Sequence, residues 1–123
     1  LSQSKVSLDQ SDAGFVLMRE TRHLIRKHLR QFCNVKFLAD KLSVSREHLS
    51  RVFKKQTAQT PLQYIMRQKM IEACRLIKET RLTQKEIAFE MGYDVPAHFT
   101  RSFKRVMRMT PSRFRAVGTI PMQ

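Results

Sequence analysis

Glycine occurs only three times in this 123-residue chain and cysteine twice, and aromatic residues make up 8% of it. With so little glycine and no stretch of alternating apolar and polar residues, a sheet-based fold is not expected. Cys33 and Cys74 fit neither a disulfide framework nor the spacing of zinc ligands, so both read as small core residues in a reducing compartment. No apolar run approaches the roughly 18 to 20 residues of a membrane span, and the opening LSQSKVSLDQSDAG lacks the architecture of a signal peptide. The expectation is therefore a cytoplasmic protein with no membrane partner. Glycine-rich phosphate loops, paired carboxylates, and a nucleophile with an evident base and orienting group are all missing from the pattern. No enzyme activity and no cofactor are expected.

Acidic residues are also in short supply. The 24 lysines and arginines face 10 aspartates and glutamates, for a formal charge of +14 and a pI near 10.8. A polyanionic partner follows, nucleic acid first and an acidic protein or membrane surface second. Residues 1–33 carry six basic and three acidic side chains, so most of the excess lies further along. The length suits one ordinary domain or two very small ones that support each other. The chain opens on Leu1, and a polar first dozen residues reads as a linker over 1–12 of a longer protein.

Apolar residues recur at spacings of three and four almost throughout, which predicts an all-α protein of about seven helices. A first helix is expected over about 13–31, with Leu17, Thr21, Leu24, Ile25, His28 and Phe32 on one face. Asn34 caps a short helix carrying Val35, Leu38, Ala39 and Leu42. Ser45 caps a helix over about 46–56 with Leu49, Val52 and Phe53 inward. Thr60-Pro61 starts a long helix reaching about 78 or 79, with Leu62, Ile65, Met66, Met70, Ala73, Cys74 and Ile77 as its buried stripe. Thr83-Gln84-Lys85-Glu86 has the capping-box pattern, and its helix ends by Gly92. Asp94 and Pro96 mark the next start, Phe99, Phe103 and Val106 or Met107 form that helix's inner face, and Thr110-Pro111 begins a last short helix. A frayed tail is expected over 118–123.

The chain repeats itself. HLSRVFKKQTAQTP at 48–61 and HFTRSFKRVMRMTP at 98–111 share His, Arg, Phe, Lys, Thr and Pro at matching places. The duplication extends upstream, since Leu38-Ala39 and Leu42 correspond to Ile87-Ala88 and Met91. Each copy reads as short helix, tight turn, second helix: a helix-turn-helix over about 35–56 and another over about 84–107. In such a unit the second helix enters the major groove. The exposed early turns of the first reading helix hold Arg46, Glu47, Ser50 and Arg51, with Lys54 and Lys55 behind. The second helix offers Pro96, Ala97, Thr100 and Arg101, backed by Lys104, Arg105 and Arg108. Arginine bonds guanine at two acceptors together, while alanine or a threonine methyl packs on thymine. Arg51 and Arg101 suit phosphate as well as base, and Glu47 suits cytosine or a neighbouring cation. The helix over about 61–79 spans ~28 Å at about 1.5 Å per residue, against the ~34 Å between successive major grooves on one face of a duplex. One chain is thus expected to read a two-part site in double-stranded DNA, with no need to dimerise.

The bland readings hold elsewhere. Tyr64 and Tyr93 read as packing residues. His48 and His98 each stand alone on their helices, so no metal site is expected.

The string IAFEMGYDVPAHFTRSFKRVMRMTPSRFR resembles the C-terminal signature of the AraC/XylS family of bacterial transcription regulators, and the resemblance runs over about residues 15–116. It rests on Ile87, Ala88, Gly92, Tyr93, Pro96, Phe99, Arg101, Phe103, Lys104, Thr110, Pro111 and Phe114. It implies a DNA-binding domain over 13–117 with two helix-turn-helix subdomains joined by a long central helix. It also implies a separate effector-binding or signal-receiving domain in the full protein, with action on RNA polymerase by contact or by blocking. The family's base-contacting places fall on the eight early-turn residues named above, and Thr60 and Thr110 fall where backbone amides meet phosphates. Ser43, Ala58 and Arg108 stand where the family often has glycine, so the two reading helices either leave by another route or accept left-handed strain of ~1 to 2 kcal/mol. The rival readings are a basic helical module for acidic protein or membrane and the DNA-recognition segment of a repair enzyme.

Overall fold

The computed structural model describes residues 2–31 and 33–118. Phe32 and the expected tail beyond Gly118 lie outside the described residues. Among those described there are seven helices and no strand: α1 (Ser2–Lys27), α2 (Val35–Leu42), α3 (Arg46–Thr57), α4 (Pro61–Glu79), α5 (Gln84–Glu90), α6 (Pro96–Met107) and α7 (Pro111–Val117). They form two compact units, one of Leu1–His28 and Cys33–Tyr64, the other of Leu29–Phe32 and Ile65–Gln123.

In the first unit α1, α2 and α3 pack on one another. The helix α1 begins at Ser2, where a linker was expected up to residue 12. Residues 1–13 contain neither proline nor glycine, so nothing in the local backbone chemistry stops the helix there. From residue 13 onward its buried positions are Gly14, Met18, Thr21 and Ile25, while Leu17 and Leu24 are only half-buried. The Thr21 hydroxyl satisfies itself on the Leu17 carbonyl at 2.6 Å. A Cβ at Gly14 would stand 3.1 Å from the Gln56 side chain and 3.8 Å from Val52, so glycine lets α1 lie close to α3. Leu38, Ala39, Leu49 and Phe53 complete the core, and Phe53 meets Tyr64 edge-on at 5.2 Å.

The second unit buries Met70, Ala73, Leu76, Ile77, Ile87, Ala88, Met91, Phe99, Phe103, Met107 and Phe114 around three tilted rings. The helix α1 ends at Lys27 rather than near 31, and Arg30 and Gln31 make their contacts within the second unit. Arg30 forms ion pairs with Glu72 and Glu90, and Gln31 offers its carbonyl to Lys69. One expectation for α4 fails: Leu62, placed in the buried stripe, is exposed. Lys69 is buried.

The turns of the two helix-turn-helix units are built alike. In the first, Ser43 takes a left-handed conformation (φ 58°) and Val44 N donates to Ala39 O at 3.0 Å. In the second, Gly92 is left-handed (φ 87°) and Tyr93 N donates to Ala88 O at 2.9 Å. Asn34 Oδ1, Ser45 Oγ and Thr83 Oγ1 cap α2, α3 and α5 as expected, and Thr83 with Glu86 completes the capping box. The helix α6 starts at Pro96 as expected, with Val95 as an N-cap that gives no side-chain bond and Pro96 fixing the first helical φ.

Candidate nucleic-acid interface

Within the first unit the core contacts of Leu49 and Phe53 decide which side of α3 remains outside. Arg46, Glu47, Arg51, Lys54 and Lys55 are exposed and Ser50 is half-buried. Arg51 Nη2 lies 3.2 Å from His48 Nδ1, one helical turn earlier, which holds the guanidinium along the helix surface. The helix ends at Ala58, left-handed at φ 63°, whose amide closes on Lys54 O at 2.8 Å.

Within the second unit Phe99, Phe103 and Met107 turn inward, so Ala97, Arg101, Lys104 and Arg105 are exposed. Pro96 and Thr100 are half-buried. Arg101, Lys104, Arg105 and Arg108 line one shallow, open depression. Arg108 is left-handed at φ 66°, and its amide closes on Lys104 O at 2.9 Å. Both reading helices therefore accept left-handed strain at a residue with a side chain. Thr100 is not free: its Oγ1 accepts from Gln84 Nε2 at 2.7 Å and donates to Pro96 O at 3.3 Å. Gln84 Oε1 accepts in turn from Ser112 Oγ at 3.0 Å. This chain of side chains ties α5, α6 and α7 together and was missed in the sequence, because nothing in local spacing links residues 84, 100 and 112.

Thr60 and Thr110 are helix caps. Thr60 Oγ1 accepts from Gln63 N at 3.1 Å while Thr60 N donates to Gln63 Oε1 at 2.9 Å, a second capping box. The Thr60 amide is thus satisfied internally, and a phosphate there has to displace Gln63. Thr110 Oγ1 accepts from Arg113 N at 3.1 Å.

Among the described residues the ion-paired acids all lie off the two reading helices. Glu72 pairs with Arg30 and Arg75, Glu79 with Arg75, Glu90 with Arg30, Asp40 with Lys36 and Glu20 with Arg19. Hydrogen bonds from Arg75, and then from Arg30, hold the Glu72 carboxyl down to about 2 against the cost of its partial burial. Among the described residues no ion pair involves Arg46, Arg51, Lys54, Lys55, Arg101, Lys104, Arg105 or Arg108. Glu47 is the one acid on α3, and α6 has none. Both reading faces are therefore cationic without internal neutralisation, the condition for binding a polyanion.

Burial pushes the Cys74 thiol up to about 11, which suits a core residue and not a nucleophile. Among the described residues no three His, Cys, Asp or Glu side chains are grouped to hold a metal ion, and no helix is long and apolar enough to cross a membrane.

Residues 38–116 match a family model described as a helix-turn-helix domain. The chain is 34% identical over 84 residues to a probable transcription factor, PqrA, from Proteus vulgaris, covering 68% of this chain and 69% of that protein. It is 37% identical, again over 84 residues and 68% of its length, to a putative AraC-like transcription regulator from Streptomyces lividans, of which it spans 28%. Among solved structures it resembles the DNA-binding domain of the global transcriptional factor AdpA, determined in complex with a target DNA. There the TM-score is 0.74 and the identity 27%, over 80% of this chain and 89% of that one. With two helix-turn-helix units, a matching family model and these relatives, the chain belongs to the AraC-type helix-turn-helix family of transcription regulators.

Proposed function

We propose that this chain is the sequence-specific, double-stranded DNA-binding part of a bacterial transcription regulator, with α3 and α6 as its reading helices. The observation that carries this reading is the set of exposed cations on the second helix of both helix-turn-helix units, none of them neutralised internally. In α3, Arg46, Glu47, Ser50 and Arg51 face base edges while Lys54 and Lys55 hold phosphates. In α6, Pro96, Ala97, Thr100 and Arg101 take the corresponding places, with Lys104, Arg105 and Arg108 on phosphates. Thr60 and Thr110, at the starts of α4 and α7, bring helix N-termini to the backbone. The two heads occupy adjacent major grooves, so a single chain reads a non-palindromic site.

The chain spans less than a third of the Streptomyces relative, and a further domain that senses an effector or signal belongs to the same reading. Occupancy of the site then alters transcription by contact with RNA polymerase or by blocking it.

Selection from random duplex DNA at two salt concentrations, with nonspecific competitor, tests the proposal. Two unlike short motifs about one helical turn apart are expected. Binding that merely fades with salt and enriches no sequence would refute base reading and leave a general affinity for polyanions.

A further inference from the structure

The two reading helices are built alike but their tips differ in chemistry. At the tip of α3 stand Ser45, Arg46, Glu47 and Ser50, all of them polar. At the same places of the second copy stand Val95, Pro96, Ala97 and Thr100. Val95 is 45% exposed and Ala97 is exposed, so the second tip shows apolar surface beside a cationic depression. Proline and alanine side chains carry no hydrogen-bonding group.

Thr100 is the one polar side chain of that tip, and its hydroxyl is occupied. It accepts from Gln84 at 2.7 Å and donates to the Pro96 carbonyl at 3.3 Å. What Thr100 retains for a base edge is its methyl group. The lock is specific to the second copy. Val35 occupies the place of Gln84 in the repeat and Leu62 that of Ser112, so no amide or hydroxyl is available to engage Ser50 in the same way. Among the described residues Ser50 has no side-chain hydrogen bond, and its hydroxyl is free to meet a base.

We propose that the tip of α6 reads the 5-methyl groups of thymine, packed against Val95, Pro96, Ala97 and the Thr100 methyl, while the tip of α3 reads its half by hydrogen bonds. This rests on the DNA-reading function proposed above. The methyl is the apolar feature that a T·A pair alone presents in the major groove, and an apolar tip discriminates by covering it. Gln84 is a positioning residue: by holding the Thr100 hydroxyl inward it keeps the tip apolar, and Ser112 holds Gln84.

The test uses duplexes carrying the selected site, with thymine replaced by deoxyuracil in one half at a time. That substitution removes the 5-methyl and leaves every hydrogen-bonding group of the base in place. The half-site read by α6 is located without relying on a base contact, as the one cut by a DNA-cleaving chelate tethered at His98→Cys, an exposed position of that helix. Uracil there is expected to weaken binding about four-fold per contacted methyl, while uracil in the other half changes affinity by less than about two-fold. Thr100→Val, which keeps a methyl and loses the hydroxyl, is expected to retain the uracil effect. Thr100→Ser, which does the reverse, is expected to lose about one methyl's share of it. Circular dichroism of both variants checks their fold, and the uracil duplexes with the unaltered chain need no variant.

Equal affinity for thymine and uracil in the α6 half overturns the inference while leaving the DNA-reading function intact. So does a uracil effect that survives in Thr100→Ser but vanishes in Thr100→Val. Failure of the selection to enrich any site removes both.

Discussion

Lys69 Nζ donates to the main-chain oxygens of Met91, at 2.9 Å, and Gln31, at 3.2 Å, from a side chain only 8% exposed. It also lies 5.9 Å from the centroid of the Tyr93 ring. Met91 caps α5 and Tyr93 lies in the turn into α6, so one ammonium group braces the turn of the second helix-turn-helix unit and fastens residue 31 to it. A buried ammonium is tolerated because carbonyl dipoles replace its water. Lys69→Met keeps the packing volume but leaves two carbonyls short of a donor. The expected loss is about 1 to 3 kcal/mol in urea unfolding. An unchanged midpoint would mean that water takes over both bonds.

The left-handed exits of α3 and α6 are places where the sequence works against itself. Ala58 at φ 63° and Arg108 at φ 66° close bonds that glycine would close with less steric strain. Part of the gain from glycine is lost again through the greater freedom of the unfolded chain. Ala58→Gly is expected to raise stability by about 0.5 to 1 kcal/mol with little effect on DNA binding. Arg108→Gly is expected to raise stability similarly while weakening DNA binding, because it removes a cation from the depression on α6. Thermal melting and a binding titration separate the two effects, and lower stability in both variants would argue against strain at these exits. The reverse change, Gly92→Ala, meets both a φ of 87° and the Arg30 carbonyl at 3.0 Å from the new Cβ, and is expected to destabilise by more than about 1 kcal/mol.

Glu72 links stability to pH. Its carboxyl sits at about 2 in the folded state against 4.5 for the free group, first because of hydrogen bonds from Arg75 and then those from Arg30. A depressed carboxylate stabilises above its unfolded pKa, and that contribution is lost as pH falls from about 4.5 towards 2. Solvent screening at this partly open site reduces the contribution to about 1 kcal/mol. Glu72→Gln is therefore expected to lower stability at pH 7 and to flatten its decline over the acidic window. Parallel declines in the two proteins would place the acid sensitivity elsewhere.

Much of this molecule was legible because helix boundaries are written locally. The caps at Asn34, Ser45, Thr83 and Thr110 and the prolines at 61, 96 and 111 lie within a turn of the helices they begin, and the inward stripes Leu49-Phe53 and Phe99-Phe103 follow from period alone. The errors came from non-local partners. Nothing near Lys69 in sequence announces the carbonyls of Gln31 and Met91, and nothing near Thr100 announces Gln84. The sequence places Thr100 on the reading face but not the commitment of its hydroxyl to Gln84 and the Pro96 carbonyl. The start of α1 at Ser2, against an expected start near residue 13, is the opposite case: the local pattern is polar, yet the segment contains no residue that breaks a helix.

Arg51 and Arg101 occupy matching places in the repeat, are exposed, and have no ion-pair partner among the described residues. If each grips guanine, Arg51→Ala and Arg101→Ala are expected to cost ~1 to 3 kcal/mol on the selected site and much less on unrelated DNA, relaxing specificity at one base pair each. Arg51 has the His48 ring at 3.2 Å to set its guanidinium, so its loss is expected to be the larger. Lys54→Ala is expected to act differently, lowering the slope of log affinity against log salt by about one unit while weakening all sequences alike. Titrations of the three variants at several salt concentrations on cognate and scrambled duplexes check this. An equal loss on both duplexes for either arginine would move it to the phosphates, and an unchanged salt slope for Lys54→Ala would remove that lysine from the interface.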